Sequence, residues 1–127
     1  MEFTICSPLL GFEGIKKVRL EKIDDIFMKM TSCEDEKISF TLINPFVLRP
    51  YDFELPTKFQ ELLEATTESN LLILNIVVIQ NPIEESMVNF LAPIIFNTDT
   101  HKAAQIILEE STEYGLAEKI SKFLKQS

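Results

Sequence analysis

Residues 71–79 read LLILNIVVI. A strand with one wet face alternates apolar and polar side chains, but every position here except Asn75 is apolar. A strand at this place must therefore be covered on both faces. The run is too short for a membrane-spanning helix, which needs ~20 apolar residues. Asn75 has to pair inside the protein or mark a break, because a buried amide without partners costs roughly 1–3 kcal/mol.

The rest of the chain suits that demand. Its 127 residues predict a single domain over 1–127, long enough to bury about two-thirds of its unfolded surface without disulfides. Residues 17–21 (KVRLE) and 38–43 (ISFTLI) alternate, and 26–31 (IFMKMT) alternates less cleanly. The polar SCEDEK between the last two predicts a hairpin. Asn44-Pro45 and Arg49-Pro50 push the residues before each proline out of the helical region. After Pro56, Thr57 and Gln60 have capping-box spacing, and Phe59, Leu62 and Leu63 make an apolar stripe, so a short helix is expected at about 57–65. Further strands are expected at 87–96 and 104–108, joined by a loop at 97–102. Apolar residues at 116, 120, 123 and 124 predict a C-terminal amphipathic helix over about 115–126. The expected fold class is mainly β: a small antiparallel β-barrel-like domain of about seven strands, with one short internal helix and that C-terminal helix.

Catalytic patterns are missing. His101 is the sole histidine and falls in a predicted loop. There is no GxSxG word, no metal-ligand cluster, and only three glycines from which to build a phosphate loop. The carboxylates sit beside turns, where solvation accounts for them. Cys6 and Cys33 form no CxxC pair and read as two reduced thiols. The opening, MEFTICSPLLGFEG, lacks a basic leader. These features point to a cytoplasmic protein that is not an enzyme and takes no metal or cofactor. A net charge of −8 argues against direct nucleic-acid binding, which rests on a basic footprint, and is compatible with a basic protein partner.

Two stretches invite a recognition role. Phe46, Tyr51 and Phe53 lie in a proline-stiffened segment, where apolar side chains lose little entropy on binding; the alternative is that they cap an end of the barrel. In VNFLAPI, at 88–94, Asn89 and Pro93 are awkward for a strand. They either bend the strand and satisfy local backbone, or interrupt a sheet edge and present Leu91 or Ala92 to a partner.

Six words now stand in order: LGFE at 10–13, INPF at 43–46, YDFELP at 51–56, LNIV at 74–77, VNFLAPI at 88–94 and QIIL at 105–108. Together, across about 9–109, they resemble the flagellar assembly factor FliW family. The resemblance implies a small non-enzymatic barrel of the bacterial cytoplasm. It further implies binding to flagellin before export and antagonism of the translational repressor CsrA, a basic RNA-binding dimer, in a partner switch. The alternative is a chaperone-like flagellin binder without CsrA activity. Carried over word by word, the partner-facing residues are Asn44, Pro45, Phe46, Asn89, Ala92 and Pro93, on a protein that is a monomer when free. An Ala92→Glu variant should then weaken partner binding and still fold cooperatively. Two departures from the family are expected: a missing strand before LGFE, and the C-terminal helix.

Overall fold

A computed structural model of the chain describes residues 1–108 and 114–124. Its strands are β1 (Glu2–Ser7), β2 (Lys17–Lys22), β3 (Phe27–Ser32), β4 (Ser39–Ile43), β5 (Leu71–Val78), β6 (Met87–Val88), β7 (Ile94–Asn97), β8 (Lys102–Gln105) and β9 (Glu118–Lys119), with one α-helix, α1 (Thr57–Leu63). The order β4-β3-β2-β1-β8-β7-β5 closes through β5–β4 pairing into a ring of seven strands, and β6 and β9 continue from β5 as a flap. Seven is odd, so antiparallel neighbours cannot alternate all the way round. One pair must run parallel, and it is β1 with β8.

Alternation sorts the side chains into two cores. Phe3, Val18 and Leu20, Met30, Leu42, Leu74, Ile94 and Phe96, and Ala103 come one strand after another from the whole ring and fill its interior. A second cluster lies outside the ring, where Ile43, Val77, Ile95 and Ala104 meet Tyr51, Leu63, Phe90, Ile106, Leu108 and Ile120. The run at 71–79 serves both: Leu72, Leu74 and Ile76 point to the first core, and Ile73 and Val77 to the second. This explains why β5 could not afford a polar face. The outer face of β1 and β2 stays wet, with Lys17 and Arg19 beside Glu2 at 3.2 and 3.9 Å.

Several expectations need correction. The strand before LGFE is present: β1 puts Phe3 into the interior. The expected strand at 87–96 is two, β6 and β7, separated by an irregular corner. The predicted capping box does not form, because Pro56 is the N-cap of α1 and the Gln60 amide instead donates to the Leu55 carbonyl at 2.6 Å. The C-terminal amphipathic helix is absent from the described residues. Glu118 and Lys119 pair with Val88 and Met87 as strand β9, and only a short 3-10 turn, Ile120–Phe123, follows. A helical stripe would bury Leu116 and Leu124, yet they stand 60% and 51% exposed, while Ile120 alone is fully drawn into the outer core. Residues 125–126 of the expected helix lie outside the described residues.

Candidate functional site

The corner at 89–93 is built by its asparagine. The Asn89 N–H still donates to Ile76 at 3.0 Å, in continuation of the β5–β6 ladder. The side-chain oxygen of Asn89 then accepts from the N–H groups of Leu91 and Ala92 at 3.0 and 3.1 Å, which turns the chain locally. Pro93, with no N–H to give, stands just before β7 takes over as the partner of β5. Carbonyls freed by the corner find partners: Pro93 from the Ile106 N–H at 2.9 Å, Leu91 from Leu108 at 2.8 Å, and Ala92 from the Gln105 amide at 3.2 Å. The Gln105 side-chain oxygen accepts from the Leu10 N–H at 2.7 Å, tying the LGFE word to the same corner.

Behind the corner lies a buried polar chain. The Asn75 amide donates to the Asn89 carbonyl at 2.8 Å and to the Tyr51 hydroxyl at 3.1 Å, and that hydroxyl donates to the Phe90 carbonyl. Asn75 is fully buried, and its side-chain oxygen has no partner among the described residues. Burial pushes the Tyr51 hydroxyl well above its ordinary pKa, against the lowering effect of its hydrogen bond to Asn75. The Tyr51 ring meets those of Tyr114, Phe53, Phe90 and Phe46 edge-on at 4.7, 5.4, 5.5 and 6.3 Å.

Arg49 fastens residues 114–124 to this surface. Its guanidinium lies 4.7 Å from the centre of the Tyr114 ring, 5.4 Å from Phe123 and 5.5 Å from Phe90, with the Glu118 carboxylate at 3.9 Å. Arginine suits this place because it stacks on ring faces and keeps its charge when half-buried. Burial alone would raise the pKa of Glu118. The Lys122 ammonium and the Gly115 N–H at 2.6 Å outweigh it, with help from Arg49, and hold the carboxyl below its ordinary value. Gly115 has no side chain for a good reason: a Cβ there would come within 2.8 Å of Glu118.

The six residues singled out in the sequence divide sharply. Asn44 caps the 3-10 turn Pro45–Val47, its side-chain oxygen accepting from the Phe46 N–H at 3.0 Å. Pro45 is buried at the first position of that turn, and Phe46 is 54% exposed, with Val47 also exposed beside it. Asn89 is half-buried, Pro93 is buried and Ala92 is 1% exposed. Phe46 is thus the one member of the set whose side chain stands largely in solvent. Sequence reasoning missed Arg49, Tyr114, Phe123 and Glu118. The clue was an arginine inside an aromatic, proline-rich stretch, but its ring partners lie far along the chain. His101 stacks on Phe3 and its Nδ1 sits 3.0 Å from the Glu2 carbonyl, a structural position. Among the described residues no group of three or more His, Cys, Asp or Glu could hold a metal ion, and no helix is long and apolar enough to cross a membrane.

A seven-stranded ring whose interior is filled by its own side chains, faced by a turn-rich aromatic cover, defines a small closed β-barrel. The FliW protein family model matches residues 2–120. Flagellar assembly factor FliW of Sulfurimonas denitrificans is 63% identical over 126 residues, 99% of this chain and 100% of that protein. Flagellar assembly factor FliW 2 of Wolinella succinogenes is 54% identical over 97% of this chain and 92% of its own length. A crystal structure of the flagellar assembly factor FliW superposes with a TM-score of 0.86 at 25% identity, covering 94% of this chain and 84% of that one. The chain belongs to the FliW family of flagellar assembly factors. Its C-terminal residues are no departure from these relatives, since the alignment with the Sulfurimonas protein reaches across nearly all of both chains.

Proposed function

We propose that this protein regulates flagellar assembly by binding flagellin and, when free of it, by binding and antagonising the translational repressor CsrA. The observation that carries this reading is family membership along nearly the whole chain, at 63% identity to a flagellar assembly factor. The net charge of −8 supports the CsrA arm, because an RNA-binding protein offers basic surface. We place the protein in the cytoplasm, as a monomer when free, acting by contact and not by catalysis.

The contact we favour runs over the Asn44–Pro45–Phe46 turn. Phe46 is its exposed anchor, and aromatic anchors dominate binding energy at many interfaces. Asn89, Ala92 and Pro93 contribute through the backbone corner they set. The test is titration calorimetry against monomeric flagellin and against CsrA, followed by competition. Binding to both, with flagellin displacing CsrA, is the expected result, and Phe46→Ala should weaken binding by about tenfold or more. Binding to flagellin alone would make this a chaperone-like binder, and binding to neither would overturn the proposal.

A further inference from the structure

A groove of about 840 Å³ lies between Ile106–Leu108 and the segment running from Asp52 into α1. That volume is within the roughly 300–1,000 Å³ typical of ligand clefts, but its walls are of an unusual kind. Ile106 and Leu108 turn their N–H groups the same way, to Pro93 and Leu91 at 2.9 and 2.8 Å. The intervening Ile107 also lines the groove, and in extended backbone its N–H and C=O turn to the side opposite those of Ile106 and Leu108. Neither of these Ile107 groups has a hydrogen-bond partner among the described residues, and the Ile107 side chain is 55% exposed. Across the gap, Phe53 and Glu54 are likewise free of backbone partners among the described residues. Just past the end of β8, the groove thus sets one stretch of backbone that is unpaired among the described residues against another across the gap. The charge is one-sided: Asp52 and Glu54 line it, and among the described residues no lysine or arginine does. Phe53, Leu55 and Ile107 supply apolar surface between the carboxylates.

We propose that this groove takes an extended segment of a partner protein, added as a strand along Ile107, in which lysine or arginine alternates with apolar residues. Main-chain hydrogen bonds supply affinity in such strand addition, and alternate side chains supply selectivity. The cationic side chains meet Asp52 and Glu54, and the apolar ones lie against Phe53 and Leu55. The inference rests on the reading of this chain as a protein-binding barrel, and not on which partner it takes.

The probe is a short synthetic peptide of alternating lysine and valine, added to the full-length protein and followed by fluorescence anisotropy and amide hydrogen exchange. The expected result is saturable binding, with exchange at the Ile107 amide slowed by about tenfold or more. A copy of the peptide N-methylated along its pairing edge should not slow it. Glu54→Lys, at an exposed side chain, should weaken binding by about fivefold, as loss of a surface ion pair requires, with an unchanged melting temperature. No binding, binding without protection of Ile107, or equal binding of the N-methylated peptide would overturn the proposal. Concentration-dependent self-association that protects Ile107 would overturn it too, by giving the groove to a second copy of the chain. Calorimetry of Glu54→Lys with flagellin and CsrA separates the two readings: peptide binding can fail while both partners still bind, and the reverse.

Discussion

Tyr51 joins the proline-stiffened cover to the barrel wall through a single hydroxyl. It donates to the Phe90 carbonyl and accepts from Asn75. Tyr51→Phe leaves that carbonyl unpaired and should cost about 1–3 kcal/mol in denaturant unfolding, with an unchanged m value. The same residue gives a pH signature. Its folded pKa lies above the unfolded value near 10.0, so its contribution to stability is complete below pH 10 and is lost as pH rises from there toward the folded value. The wild-type melting temperature should fall along that alkaline limb, and Tyr51→Phe should flatten the fall. Ala92 provides the opposite lesson. Read from sequence it is a partner-facing residue, but at 1% exposure a carboxylate there has no solvent to reach. Ala92→Glu should cost about 3–5 kcal/mol, visible as lost near-ultraviolet circular dichroism, before any partner is added.

Among the elements, β2 to β4 were legible from alternation, less cleanly in β3, and β5 from an apolar run that demands cover on both faces. β1 was not, although Phe3 and Ile5 alternate with Thr4 and Cys6, because its pairing with β8 brings together the two ends of the sequence, which no local pattern reports. The expected C-terminal helix failed for a related reason. The spacing of Ile120 and Phe123 fits a helix, yet it fits one 3-10 turn equally well, and what decides is the outer core waiting for Ile120. The corner at 89–93 was half legible: the sequence offered Asn89 and Pro93 either as fold devices or as a partner-facing edge, and could not tell that Ala92 between them is buried. Residues 114–124 hold on through Arg49, Ile120 and the Phe90 N–H, which donates to Gly115 at 2.9 Å. Ile120→Ala should destabilise the fold by about 2–4 kcal/mol. Arg49→Ala should raise hydrogen exchange at the Phe90 and Ile120 amides far more than in the ring strands, because it loosens the cover without emptying the interior.

For the molecule as a whole, the charge of −8 is a long-range property. If it steers a basic partner such as CsrA, calorimetric affinity should fall between low and physiological salt, because the screening length shrinks to about 8 Å; affinity independent of salt would leave short-range contacts in charge. The odd ring carries a different consequence, concerning the order in which the protein can come into being. β1 is made first, yet one of its two neighbours is β8, and the contact between Glu2 and His101 spans 99 positions. On a ribosome adding ~5–20 residues per second, β1 can form its hairpin with β2 at once, but its other edge must wait several seconds for the strand that seals it. Until then the growing chain carries an exposed, partly apolar edge, and nearly the entire sequence has to be translated before the barrel can close.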